Sequence, residues 1–177
     1  SNNIWVGTEE GISKLTSTKP FIQYRYIIGS KKTLGGKVTS SIIADKDSVL
    51  WVGYGGGGFD KIELRTNSIT HFKNKPGNNN SISVNDVVAM CLDRNGILWI
   101  GTSYGGLNKF DPLTEKFKVY RNNKADPNSL KSDWVQQILE TSDGLLLVGT
   151  NDGLQVFDRK SERFYDYLPK IKNSETK

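Results

Sequence analysis

A four-residue phrase returns along the chain as Trp5-Val-Gly-Thr, Trp51-Val-Gly-Tyr, Trp99-Ile-Gly-Thr and Leu147-Val-Gly-Thr, in steps of 46, 48 and 48 residues. A period of that length, built on short apolar runs, points to stacked sheets or propeller blades and not to one irregular core. It constrains the fold strongly and the chemistry hardly at all, because one such fold hosts many functions.

The repeat extends well beyond the tryptophan. In the third unit Asp93-Arg-Asn-Gly96 precedes Ile97-Leu-Trp-Ile-Gly-Thr102, followed by Ser103-Tyr-Gly-Gly106, Leu107-Asn-Lys-Phe-Asp111 and Phe117-Lys-Val-Tyr120. The fourth unit repeats this order as Thr141-Ser-Asp-Gly144, Leu154-Gln-Val-Phe-Asp158 and Phe164-Tyr-Asp-Tyr167, one residue shorter after Thr150. The second matches with Asp45-Lys-Asp-Ser48, Phe59-Asp-Lys-Ile-Glu63 and Ile69-Thr-His-Phe72, while the first begins late, at Ile4. Each unit reads as four short strands. The first runs over 39–44, 87–92 and 135–140, and a turn of the Asp-x-Asn-Gly kind supplies the positive φ of a tight hairpin. The second carries the tryptophan, and its glycine (Gly7, Gly53, Gly101, Gly149) suits close approach between neighbouring sheets. The third and fourth alternate apolar and polar residues with the period of half-buried strands. No window shows capped helical periodicity, so the expected class is all-β.

These residues resemble the two-component regulator propeller repeat: Asn-Ser-Leu, a Val-rich strand, Asp-x-x-Gly-x-Leu-Trp-Ile-Gly-Thr, Gly-Gly-Leu-Asn-x-Phe-Asp and Phe-x-x-Tyr. The likeness covers residues 4 to 167, with departures at Leu147 for Trp, Tyr54 for Thr, and Asp47-Ser48 for Asn-Gly. It implies the periplasmic sensor region of a bacterial hybrid histidine kinase, a group in which many members respond to oligosaccharides, and seven blades per propeller. Three complete units and one lacking its first strand make about 3.75 blades, an incomplete piece of such a propeller, since closed rings have about 4 to 8. The expected boundaries are a partial blade over 4–26, blades over 38–73, 86–121 and 134–168, and a disordered tail over 169–177. An arc that does not close exposes its flanks, which predicts self-association through blade edges or contact with the rest of the parent sensor.

Composition removes several function classes. No apolar run reaches about 20 residues, so no membrane span or contact is expected in this segment. The net charge of +5 is spread over all units without the basic stripe and interleaved aromatics that nucleic acid requires. One cysteine, Cys91, reads as a small buried hydrophobe, and one histidine, His71, as an incidental surface residue on an outermost strand. No catalytic group, metal site or cofactor is expected: zinc ligands are absent, calcium loops lack enough oxygens, and Gly53-Tyr-Gly-Gly-Gly-Gly58 lacks the lysine and helix of a phosphate loop.

Antiparallel strands put the loops between second and third strands, and those entering each first strand, on one face. These are the long loops, around 27–37, 73–85 and 121–133, beside 54–58 and 103–106. Function concentrates on such loops. That face carries Tyr54, Tyr104, Trp134, Asn85 and Asn151, a mixture of rings for sugar C–H faces and amides for hydroxyls. These five are the candidate ligand-binding residues, with an oligosaccharide as the candidate ligand. The linkers 74–81 and 122–129 read as ordered turns. Two other functions stay open: a dimerisation scaffold with no ligand of its own, and a lyase or hydrolase.

Overall fold

A computed structural model describes residues 4–9, 11–15, 22–28, 33–45 and 48–167; the tail expected over 169–177 lies outside them. Among the described residues every regular element is a strand. Sheet I contains β1 (Ile4–Thr8), β2 (Gly11–Leu15) and β3 (Ile22–Arg25). Sheet II contains β4 (Thr39–Asp45), β5 (Val49–Tyr54), β6 (Gly58–Glu63) and β7 (Ser68–Phe72). Sheet III contains β8 (Val87–Leu92), β9 (Leu98–Thr102), β10 (Gly106–Asp111) and β11 (Lys116–Tyr120). Sheet IV contains β12 (Val135–Glu140), β13 (Leu146–Thr150), β14 (Gly153–Asp158) and β15 (Arg163–Asp166). Strands pair antiparallel in chain order within each sheet, so every hairpin is local and neighbouring sheets meet face to face. The fold is an incomplete β-propeller. No helix among the described residues is long and apolar enough to cross a membrane.

The alternation along each strand separates two packing faces, and not a core face from a solvent face. On β10, Leu107 packs toward sheet IV while Phe110 packs toward sheet II, and both are fully buried. This corrects the half-buried reading of the third strands: in a stack, both sides of an internal sheet are covered.

Each internal sheet therefore has a leading face, toward the preceding sheet, and a trailing face, toward the next. Leu50, Val52 and Ile62 lead sheet II and cover Ile12, Trp5 and Tyr24 of sheet I. Leu98, Ile100 and Phe110 lead sheet III and cover Trp51 and Phe59. Leu146, Val148 and Phe157 lead sheet IV and cover Trp99, Leu107 and Tyr120. The second-strand glycines take up the next sheet's inner strand: a Cβ on Gly53 would lie 2.7 Å from Val87 Cγ1, and one on Gly101 2.6 Å from Val135 Cγ1. Inner strands β4, β8 and β12 approach one another in turn, which places the first strand of each sheet toward the axis.

Candidate functional site

The loops of the expected face do meet. Gly55 N–H donates to Val38 O, Ser103 N–H to Asp86 O and Asn151 N–H to Trp134 O, each joining a turn after a second strand to the linker entering the first strand of its own sheet. The same turns also reach the next linker, with Gly58 N–H on Asn85 O and Gly106 N–H on Asp133 O.

The linkers are pinned by a device that recurs every unit. Asp60, Asn108 and Gln155 occupy the same position, two residues past the glycine that opens the third strand, and all three are buried. Each side chain accepts from a linker N–H: Gly35 to Asp60 Oδ2 at 2.7 Å, Ser83 to Asn108 Oδ1 at 2.9 Å, and Lys131 to Gln155 Oε1 at 2.8 Å. A second clamp uses the linker asparagines. Asn74 donates its amide to Ile82 O and Ser83 O, and Asn122 donates to Leu130 O and Lys131 O. The expected ordered turns are thus held by capping side chains. The strand-borne latch was not legible in the residues, because a mid-strand Asp, Asn or Gln carries no turn signal.

The five candidate residues divide between these structural roles and an open surface. Tyr54 is a correction: it is fully buried, and its hydroxyl donates to Asp60 Oδ2 at 2.7 Å. Gly36 makes that possible, since a Cβ there would sit 2.5 Å from the Tyr54 ring. Burial first, and the neighbouring Asp60 charge second, push the Tyr54 phenol far above its ordinary value. A ring enclosed this way offers no face to a ligand. Asn85 is half-buried and its Oδ1 accepts Asn74 N–H at 2.7 Å, so its carbonyl serves the linker. His71 is likewise no incidental surface residue. It does sit on the outermost strand β7, but its Nδ1 meets Asp60 Oδ1 at 2.7 Å. Cys91, half-buried on β8, has its thiol pushed up chiefly by burial.

Tyr104, Trp134 and Asn151 do come together, at the junction of sheets III and IV. The Tyr104 and Trp134 rings lie 4.8 Å apart at 57°, and Tyr104 is 69 % exposed. Tyr104 has φ of 61°, at the turn position where sheet II has Gly56 with φ of 86°. Left-handed backbone in a non-glycine residue costs about 1 kcal/mol. Such outliers concentrate at functional sites. Asn151 extends the surface: its backbone binds Trp134 O, and its side-chain oxygen accepts from Gln136 Nε2.

Two further residues belong to this surface and were not anticipated. Gln136 is exposed at a register shift between Val135 and Gln137, and a bulge of this kind re-aims side chains at sheet rims. The only trace in the sequence is the doubled Gln136-Gln137, which breaks alternation. Arg121 donates to Tyr104 O at 3.3 Å, lies 3.5 Å from Asp133 Oδ2, and also lines a groove of about 390 Å³ beneath linker 74–83. Among the described residues, no three His, Cys, Asp or Glu side chains cluster as metal ligands.

Comparison with known proteins agrees with this architecture. Residues 81–104 match the family described as two component regulator propeller. The extracellular domain of a protein described as a hybrid two component system, from B. thetaiotaomicron, is similar at 25% identity with a TM-score of 0.79, over 94% of this chain and 23% of that one. The chain thus spans about a quarter of that relative's length. The WD40 β-propeller domain of Doa1 (13% identity, TM-score 0.64) is matched over 94% of this chain and 47% of that chain. Virginiamycin B lyase of Staphylococcus aureus (12% identity, TM-score 0.67) is matched over 96% and 53%. The last two likenesses concern the fold alone. None of the curated proteins matches the sequence.

Proposed function

We propose that this chain is part of the extracytoplasmic, periplasmic sensor region of a two-component signalling histidine kinase, and that the Tyr104–Trp134 corner contacts an oligosaccharide. The observation that carries the site is Tyr104 itself. An exposed aromatic ring is held in left-handed backbone, against Trp134, where the equivalent turn uses glycine. Tyr and Trp rings cover the C–H faces of sugars, and Asn151, Gln136 and Arg121 supply donors and acceptors for hydroxyls or a carboxylate. The signalling role is supported by the family match over 81–104 and by the likeness to the extracellular two-component domain. The lyase likeness, at 12% identity, concerns the fold alone and lends no support to a lyase activity.

Isothermal titration calorimetry with neutral and uronate-containing oligosaccharides tests the site. Tyr104→Ala and Trp134→Ala are each expected to weaken binding about fivefold, as the loss of a stacking ring worth about 1 kcal/mol requires. Tyr54→Phe is expected to leave affinity unchanged. Absence of binding by the chain, or equal affinity in all variants, would move the assignment to a scaffold without its own ligand.

A further inference from the structure

A groove of about 390 Å³ lies between internal sheets II and III, where linker 74–83 runs beside β11. That volume falls within the roughly 300–1,000 Å³ of small-molecule sites. The walls are fixed by the protein's own bonds. Asn74 holds Ile82 O and Ser83 O, and Asn80 Oδ1 accepts Phe117 N–H of β11 at 2.8 Å. Ser81 Oγ accepts Lys75 N–H at 3.1 Å and donates to Asn78 O at 3.0 Å. Apart from Gly77, Ile82 and Val119, the lining residues carry amides, hydroxyls and two cations, Lys75 and Arg121, and none carries a carboxylate. Both polar contacts of the Arg121 side chain, to Tyr104 O and Asp133 Oδ2, use Nη1. The Lys75 ammonium makes no ion pair among the described residues.

The next linker shows which of these residues the fold itself requires. Over 122–131, Asn122 and Ser129 make the same bonds as Asn74 and Ser81. Asn123, however, stands in the place of Lys75, and Asp126 in the place of Asn78. The groove at that linker, about 380 Å³, mixes both signs: Asp126 and Glu162 offset Lys118, Arg121 and Arg163. The linker plan therefore does not call for unopposed cations, and they occur where the groove adjoins the aromatic corner. We infer that this groove is a second subsite for the oligosaccharide of the Tyr104–Trp134 corner, a reading on which the inference rests. Lys75 and Arg121 bind an anionic group of that ligand, a carboxylate or a sulfate, while a neighbouring sugar stacks on Tyr104. Arg121 joins the two subsites, because its Nη1 holds the Tyr104 backbone while the side chain borders the groove. A guanidinium fork matches paired anionic oxygens, and the ammonium adds a point charge. Asn78 and Asn79 offer amides to the hydroxyls of the same sugar. Preformed walls keep the ordering cost of binding low.

Calorimetry on the 177-residue chain with four probes tests this. They are trigalacturonate, its uncharged methyl ester, a sulfated galactan tetrasaccharide and inorganic sulfate. Trigalacturonate or the sulfated galactan is expected to bind about tenfold tighter than the ester, the effect of one charged hydrogen-bonding partner. Which of the two does so separates a carboxylate ligand from a sulfate ligand. The preference should shrink as salt is raised, and it should disappear in both Lys75→Gln and Arg121→Gln. Lys75 and Arg121 are exposed, so circular dichroism of both variants should match the parent. Lys75→Gln also leaves the Arg121 contact with Tyr104 in place, and so reads the groove apart from the corner. A charge preference that survives both variants, or none in the parent, overturns the subsite while leaving the Tyr104–Trp134 reading intact. A preference lost in Lys75→Gln but indifferent to Tyr104→Ala overturns the corner reading, and with it the joined subsites. Inorganic sulfate binding as tightly as the oligosaccharides also overturns the proposal, since the groove would then hold an anion without a sugar.

Discussion

Sheets II and III follow one plan 48 residues apart, yet they fasten the same linker with different chemistry. In sheet III a neutral amide does the work: Asn108 accepts from Ser83 N–H and donates to Ser83 Oγ at 2.9 Å. In sheet II a buried carboxylate stands at that position, and Tyr54 and His71 have come in around it, where sheet III has Thr102 and Val119. An amide carries its own donors and acceptors and needs one partner residue. A buried carboxylate has only acceptors, so it needs donors gathered from several elements. The difference shows that the repeat conserves a geometric task, an acceptor aimed at the linker, and leaves the chemical solution to each sheet.

Removing the acceptor from each sheet should break the comparison most sharply. Asp60→Ala strands the Tyr54 hydroxyl, the Gly35 N–H and the His71 ring nitrogen at once. A loss of about 3–5 kcal/mol is expected, the range for removing one partner from a buried charged network. Asn108→Ala strands chiefly Ser83 and should cost about 2 kcal/mol. Urea denaturation of both variants reads the gap. Equal losses would mean that Tyr54 and His71 find other partners and that the two latches are energetically alike.

This latch also marks what the residues could and could not disclose. The strand pattern, the turns and the inter-sheet glycines were legible because each obeys a local rule: period-two alternation, positive φ, or close approach. Tyr104 and Trp134 were legible as site candidates because aromatic side chains beside glycines on a long-loop face are unusual. Tyr54 misled for the same reason. It stands next to the same kind of glycine run, but one that admits linker residue Gly36 over its ring. Whether a tyrosine at the end of a second strand faces solvent depends on a residue 18 positions earlier, and no periodicity encodes that. His71 was misread because its partner, 11 residues away, becomes adjacent only through the pairing of β6 with β7.

The tryptophans offer a second contrast between the same two sheets. Trp99 Nε1 donates to Asp93 Oδ2 at 2.8 Å, and Asp93 is also approached by Arg159, itself bound to Glu140 at 2.8 Å. Trp51 Nε1 is buried with no partner among the described residues, and Asp45, in the place of Asp93, precedes the turn where Asp47-Ser48 replaces Asn-Gly. Trp99→Phe should therefore destabilise by about 1.5–3 kcal/mol more than Trp51→Phe, the value of a hydrogen bond to a charged group. Matched denaturation midpoints would show that the Asp93 network contributes nothing through the indole.

The most conservative change, Tyr54→Phe, isolates the charge in the sheet II latch. At neutral pH it should cost about 1.5–3 kcal/mol, one hydrogen bond to the Asp60 carboxylate. The sharper reading lies at alkaline pH. The folded state holds the Tyr54 proton well above the ordinary value of 10.0. Below about pH 10 both folded and unfolded chains keep that proton, and its contribution to stability is fully present. Above it the unfolded chain releases the proton while the folded chain does not, so stability falls by about 1.4 kcal/mol per pH unit for each such group. Tyr24 and Tyr120 are raised too, chiefly by burial, so the parent should lose stability steeply there. Tyr54→Phe should make that slope shallower by one proton. A slope unchanged by Tyr54→Phe would mean that the phenol is not held against Asp60, and the contrast between a charged and a neutral latch would then rest on His71 alone.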